Sequence, residues 1–432
     1  MAVERLRPGL RPVTEQSRAT PAELFFDLVF VFAFLQVTTL VVDEGDALGV
    51  LHGLLVLVML WWSWSLFAWL GNRVRADYGL ARFTLLAATP VMFVLAVATR
   101  EAFEDFPGGA FTPVWFVGCF FLLRLMYLAL RMYATPGLRF RDVVALTVPM
   151  CVAAGLLLAA ALLPGSAAGA RTVATGQVLL WVLAIGVDYA AGMALPFPDR
   201  AIHSARHWAE RHNLIIIVAL GEVLVAIGIA GTDLPGSAGL FIASALAVVI
   251  AGALEWIYFD LTTLAGEHAL YSADLAGRVA LARSGYTFLH LPMIIGVILL
   301  ALGLKHMTTL VGERQDPRLD IPLHDLGRYA MYGGVALYLL AHAAFQLRLR
   351  QVTRALVWPR LGAVAVLLAL LPLTAATHAL GALGWLAGVC VATALTEFVL
   401  SRPQRRQLRR LLLDDEENMA ARPDQEGLIN GT

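Results

Sequence analysis

AELFFDLVFVFAFLQVTTLV, Ala22–Val41, is the stretch whose reading decides the fold. It is apolar over the length of a membrane crossing, yet it carries Glu23 and Asp27 near its start and Gln36 further along. The two acids are spaced i,i+4, so a helix sets both on one face, a turn apart. A lone charge at mid-membrane costs about 2.5–3.5 kcal/mol on insertion scales, so the segment reads as a transmembrane helix whose acids face protein or water rather than lipid.

The rest of the chain agrees. Of 432 residues, 59% are hydrophobic and 15% charged, too apolar for a soluble globular protein. Twelve spans are expected, near 22–42, 48–70, 80–99, 112–133, 142–163, 173–194, 213–231, 238–264, 284–304, 328–347, 361–380 and 382–400. The last two are separated by HALGALG (378–384), and a single kinked helix there is the alternative. The formal net charge is zero and no basic domain is visible, so no nucleic-acid partner is expected. The partner that composition implies is the lipid bilayer, and the oligomeric state is left open. Cys119, Cys151 and Cys390 lie singly in apolar runs without metal-ligand spacing and read as small buried residues. His203, His207 and Glu210 fall at i, i+4 and i+7, but Ser204 follows His203, so the H-E-x-x-H pattern is not formed. That segment reads as interfacial and amphipathic, and no metal or cofactor is expected.

Arginines concentrate in alternate loops, among them Arg73 and Arg75, Arg139 and Arg141, Arg200 and Arg206, and Arg278 and Arg283. The positive-inside rule then puts both termini in the cytoplasm. The expected organisation is a leader (1–21), a six-helix repeat (22–195), a cytoplasmic linker (196–212), a second six-helix repeat (213–400) and a cytoplasmic tail (401–432). The basic start of the tail is expected to lie on the inner membrane surface. The repeat rests on paired segments. AELFFDLVFVFAFLQ (22–36) parallels AERHNLIIIVALGE (209–222), setting Gln36 level with Glu222. WWSWSLF (61–67) parallels EWIYFDL (255–261), setting Trp62 level with Trp256, and ARFTLLAATPVM (81–92) parallels ARSGYTFLHLPM (282–293). An even number of spans per half makes the two repeats parallel, related by an axis along the membrane normal.

ELFFDLVFVFA in the first span, AERHNLIIIVALGE opening the seventh and EWIYFD in the eighth resemble the bacterial low temperature requirement A family, over residues 18 to 400 or so. The resemblance implies a multi-spanning inner-membrane protein connected with growth in the cold, and it implies no biochemical activity. Glu255 departs from it, standing where a second aromatic beside Trp256 is expected.

Function is sought among the intramembrane charges. The candidates for binding a substrate or ion are Asp27, Arg124, Asp188, Glu222, Asp260 and His290, with Glu23, Gln36, Glu210 and Trp256 in support. Arg124 is the one basic side chain expected deep in the spans, against the acids Asp27, Asp188, Glu222, Glu255, Asp260 and Glu397. The surplus acids must be protonated, solvated in a cavity or neutralised by bound cations, while Glu23, Asp260 and Glu397 are shallow enough to reach water. Asp27 is expected in a polar cavity, with a structural lock on Asn72 and Arg73 as the alternative. Glu222 is the expected partner of Arg124, and Asp188 the alternative. His290 either serves an ion or bonds a carbonyl freed by Pro292. These features favour a proton- or cation-coupled secondary transporter of unknown substrate. The alternatives are an intramembrane enzyme acting on a lipid and a membrane sensor or scaffold.

Overall fold

The first helix begins and ends, and the second begins, where the sequence supplies a cap. The first, α1 (Pro21–Glu44), opens on a capping box: Thr20 Oγ1 accepts the Glu23 amide while Glu23 accepts the Thr20 amide at 2.9 Å. Pro21 occupies its first turn, and Gly45, at φ 71°, ends it in the left-handed conformation. Asp46 then caps α2 (Ala47–Gly71) by accepting the Gly49 amide at 2.9 Å.

The computed structural model describes residues 6–106, 108, 111–163, 170–194, 201–232, 236–314, 322–323, 325–349 and 356–420. Residues 196–200 of the expected linker and 421–432 of the expected tail lie outside that set. The further helices are α3 (Gly79–Val97), α4 (Thr112–Ala134), α5 (Phe140–Ala161), α6 (Ala170–Ala194), α7 (Ala205–Thr232), α8 (Ala238–Phe259), α9 (Thr262–Ser272), α10 (Leu275–Leu281), α11 (Phe288–Arg314), α12 (Asp325–Arg348), α13 (Val357–Leu373) and α14 (Ala379–Ala420). Among the described residues, twelve helical segments are long and apolar enough to cross a membrane. The eighth joins α8 to α9, and the ninth joins α10 to α11 through a π-helical turn at Ala282–Thr287.

Four boundaries differ from expectation. The seventh span starts at Ala205, so residues 205–212 of the expected linker are helix and carry His207, Glu210 and Arg211 into the bundle. The eighth runs past Asp260 to Ser272. The last two spans are separate helices, but the break falls at Thr374–His378 and most of HALGALG opens α14. The basic tail is a helical continuation of the twelfth span as far as Ala420.

At the centre α1 and α7 lie against each other. In the first half α1 packs on α2 and α3, and α2 reaches α6; in the second half α7 packs on α8 and α11, and α8 reaches α14. The tightest pair is α11 with α12. A Cβ on Gly296 would stand 2.5 Å from the Gly334 carbonyl, and one on Gly303 would stand 2.6 Å from that of Gly327. The two antiparallel backbones therefore touch along a glycine seam.

The leader forms a strap across one face. Val13 donates to the Arg73 carbonyl (3.1 Å), Arg75 to the Arg11 carbonyl (2.9 Å), and Ser204 Oγ to the Ser17 carbonyl (2.9 Å). Arg278 pairs with Glu15 at 2.7 Å. Strap, α2–α3 loop, α7 start and α10 thus share the face that bears the clustered arginines.

Candidate functional site

Two groups of intramembrane charges stand out, and each leaves buried polar atoms without a hydrogen-bond partner: Asp27 Oδ2 with Arg211 Nε and Nη1 in one, Asp188 Oδ2 with Arg124 Nε and Nη1 in the other. The first welds α1 to α7 near the arginine-rich face. Arg211 on α7 contacts Glu23 Oε1 at 2.9 Å and Asp27 Oδ1 at 2.8 Å. His207, one turn before it, reaches Glu23 at 3.0 Å. Trp64 of α2 donates its indole N–H to Asp27 at 2.8 Å. Asn72, at the end of α2, donates to the Ser204 carbonyl (2.8 Å) and to His207 Nδ1 (3.1 Å), which leaves the Nε2 proton of His207 facing Glu23. Gly71 makes room: a Cβ there would lie 2.4 Å from Glu23 Oε1. Glu23, Asp27, His207, Arg211 and Asn72 are all almost wholly buried.

Asp27 is therefore buried in an ionic contact between α1 and α7, with its Oδ2 left without a hydrogen-bond partner. The lock is made with Arg211 and Trp64, not with Asn72 and Arg73. Glu23 is both a cap and a buried partner in the same lock, not a shallow acid in water.

The second group is α4's Arg124 with α6's Asp188, 2.7 Å apart. Glu222 is not the partner of Arg124. It lies further along the α1–α7 contact, where Thr38 donates to it at 2.8 Å and Lys305 bonds Thr39 at 2.6 Å. Arg124 is also not alone, because Arg211 and Arg360 are buried bases too. Arg360 pairs with Glu397 at 2.7 Å and bonds Gln346, so Glu397 is a packed partner and not a water-exposed acid.

Arg124 and Asp188 line a cleft between α2, α4, α5 and α6. Its lining shares Trp62, Leu66, Tyr127, Arg131 and Gly192 with an adjoining chamber that also touches Arg73 and Arg283, at the arginine-rich face. Trp62 stacks on Tyr189 at 4.3 Å, and Gly192 leaves space for its indole, since a Cβ would come within 2.4 Å of the ring. In this pair Arg124 Nε and Nη1 and Asp188 Oδ2 are buried without a hydrogen-bond partner. Arg211 with Asp27 and Arg360 with Glu397 leave like atoms unbonded; at Arg124 and Asp188 these atoms belong to side chains that line a cleft.

The remaining candidates are scattered. His290 accepts or donates at Tyr258 Oη (2.8 Å) and bonds the Gly285 carbonyl at 3.2 Å. That carbonyl belongs to the π-helical turn, not to the kink at Pro292. Asp260 ends α8 and accepts from Ser401 at 3.3 Å. Glu210 accepts the Ala19 amide at 2.9 Å, tying the strap to α7. Gln36 is half-buried on α1, while Glu255 and Trp256 are exposed on the outer face of α8. Cys151 likewise faces outward on α5, whereas Cys119 and Cys390 are buried. Sequence reasoning missed Arg211 and His207, because both were assigned to a loop. The signal was present: His207 and Arg211 are spaced i,i+4 like Glu23 and Asp27, so two helices offer matching faces.

The helices, their lengths and the buried charges define a multi-pass helical membrane protein. The chain belongs to the bacterial low temperature requirement A (LtrA) family, whose profile matches residues 18–395. An uncharacterised protein of Rhizobium meliloti (strain 1021) is 26% identical over 306 residues, covering 67% of this chain and 69% of its own length. No solved structure matches the chain.

Proposed function

We propose that the protein is a secondary carrier of the bacterial inner membrane, with both termini cytoplasmic and the Arg124–Asp188 cleft as its substrate site. The observation that carries this reading is the setting of the ion pair: Arg124 and Asp188 both line a cleft that adjoins a chamber at the arginine-rich face. The lock on α1 and α7 supplies the frame. The α5–α6 hairpin supplies the moving part, since 22% and 17% of these two spans are buried against 56% for α1 and 72% for α2. Among the groups that fasten that hairpin to the frame are the Arg124–Asp188 pair, the Trp62–Tyr189 stack, the Tyr189 hydroxyl on the Val58 carbonyl (3.0 Å), Gln177 on the Phe103 carbonyl (3.1 Å) and Trp181 on Phe103 and Phe116. Substrate entering between Arg124 and Asp188 competes with one of these fastenings, which couples occupancy to hairpin movement. Asp188 is the natural site for a coupling proton or cation. The like neighbour patterns of the two halves support a parallel duplication.

The test is access. With Cys119, Cys151 and Cys390 replaced, Ala191→Cys places one thiol in the cleft lining. A carrier exposes it in turn to each side, so a membrane-impermeant thiol reagent labels it from either face of oriented vesicles. Labelling from one side alone, under all substrate and pH conditions tried, removes the carrier reading and leaves a scaffold.

A further inference from the structure

The chamber beside the Arg124 cleft has walls of one electrostatic sign. Arg73 follows α2, Arg131 lies on α4 and Arg283 sits in the π-helical turn before α11, and all three line it. Its described lining residues include no acid. Ser65, Trp62 and Trp69 add hydroxyl and indole donors to the same walls. The neighbouring cleft differs, because Asp188 lines it. A cavity edged by guanidiniums and neutral donors is complementary to an anion.

The walls are held in place by their own bonds. Thr135 Oγ1 accepts from Arg73 at 2.6 Å, and Tyr127 Oη accepts from Arg131 at 2.7 Å. Arg73 and Arg131 are buried, whereas Arg283 is exposed. Trp61 donates to the Thr287 carbonyl at 2.9 Å and Trp69 to the Thr287 hydroxyl at 3.3 Å, which pins the π-helical turn to α2. Two of the arginines thus come from the first half of the chain and one from the second.

Size and position narrow the anion. The chamber has about 50 Å³ of free space, which at roughly 10–15 Å³ per water is room for about three to five waters. One four-oxygen oxyanion suits that space; a nucleotide, a sugar or an acyl chain does not. A planar carboxylate is served by a single guanidinium, whereas a tetrahedral phosphate presents oxygens in several directions to arginines on three elements. The chamber lies at the arginine-rich face, which is the level of lipid phosphates. We infer that it binds one phosphate group, free or on a lipid headgroup, with Arg73 and Arg131 on its inner wall and Arg283 at its mouth. The bound phosphate joins α2 and α4 to the π-helical turn. This goes beyond the carrier reading and does not rest on it: the labelling of Ala191→Cys tests transport, and phosphate binding tests the chamber.

The experiment uses the full-length protein, delipidated in a maltoside detergent without phosphate. Equilibrium dialysis at fixed ionic strength measures binding of radiolabelled phosphate. Phosphate binds saturably; sulfate displaces it, and acetate at the same concentration does not. Arg283→Gln, at an exposed position, weakens binding at least about fivefold, and Arg131→Gln weakens it further. The wild-type series and Arg283→Gln decide the question even where Arg131→Gln fails to fold. Native mass spectrometry with dioctanoyl phosphatidic acid, and dioctanoylglycerol as its phosphate-free control, reads the lipid arm. Phosphatidic acid that binds and excludes phosphate assigns the group to a lipid headgroup; phosphate binding that phosphatidic acid leaves unchanged assigns it to a soluble molecule. The inference is overturned if acetate competes as well as sulfate, or if Arg283→Gln leaves the binding of both ligands unchanged. It is also overturned if dioctanoylglycerol binds as well as phosphatidic acid, or if neither phosphate nor phosphatidic acid binds saturably at millimolar concentration.

Discussion

Arg211→Met tests whether the α1–α7 contact is an ionic lock. The substitution keeps much of the side-chain volume and removes the guanidinium that contacts Glu23 at 2.9 Å and Asp27 at 2.8 Å. With charge centres about 4 Å apart and an effective dielectric near 20, each contact is worth roughly 4 kcal/mol gross. The loss is capped, because a carboxylate of ordinary pKa about 4 takes up a proton at pH 7 for about 4 kcal/mol. Glu23 retains His207 at 3.0 Å, whereas Asp27 retains the Trp64 N–H alone. The expected destabilisation is therefore about 3–5 kcal/mol, the range for stripping one partner from a buried pair. The assay is reversible unfolding in mixed micelles, followed by tryptophan fluorescence. Adding Asp27→Asn to Arg211→Met should return about half of the loss, since Asn bonds Trp64 without a charge. A single variant within about 1 kcal/mol of wild type, or a double variant no better than the single, refutes the lock.

Three further outcomes follow from the same geometry. Arg124→Met should be rescued in stability by Asp188→Asn and not by Glu222→Gln, because Asp188 is the partner at 2.7 Å; the same unfolding assay reads both double variants. Gly296→Val should cost at least about 1–3 kcal/mol, because its Cβ would meet the Gly334 carbonyl at 2.5 Å and the Tyr338 amide at 2.7 Å, backbone atoms that cannot swing away, while Gly252→Ala, with open space around it, is the control. In the α2–α3 loop, hydrogen bonds from Arg75 hold the Asp77 carboxyl below the usual carboxylate range. Its contribution is present above the ordinary aspartate pKa and fades as pH falls through the depressed value. Because the pair is partly exposed, Asp77→Asn should cost no more than about 1 kcal/mol at pH 7, and nothing in strong acid.

The membrane class, the spans and most of their ends were legible because hydrophobic length is a local property. Gly45 and Asp46, adjacent in sequence, mark one end and one beginning without any knowledge of the fold. Charge pairing was not legible, because it depends on which helix faces which. Arg211 and Arg360 sit beside apolar runs in arginine-rich stretches, so they read as loop residues; each is drawn inward by a carboxylate on another helix, Asp27 and Glu397 respectively. Glu222 and Arg124 share a depth, and depth alone suggested a pair, but α4 and α7 present them to different neighbours. The π-helical turn before His290 was likewise invisible, since its extra residue per turn leaves no mark in hydrophobic periodicity.

The most conspicuous motif in the sequence is thus the part that joins α1 to α7, and the less conspicuous pair is the one that lines a cleft. Glu23 and Asp27 draw the eye because two acids in an apolar run are expensive. In the structure that expense is offset by Arg211, His207, Trp64 and the Thr20 cap, and Asp27 Oδ2 is the one carboxylate oxygen of the two acids left without a bond. The contact so formed joins the halves at one end, while Thr38 and Glu222 join them again further along. A rocking motion of one half against the other would have to break both. Movement is cheaper at α5 and α6, the least buried spans, fastened among the described residues by the Arg124–Asp188 pair, hydrogen bonds from Tyr189 and Gln177 and a few aromatic contacts. Arg124 and Asp188 line a cleft at that fastening, so on the proposed carrier reading a molecule bound there has mechanical leverage on the hairpin.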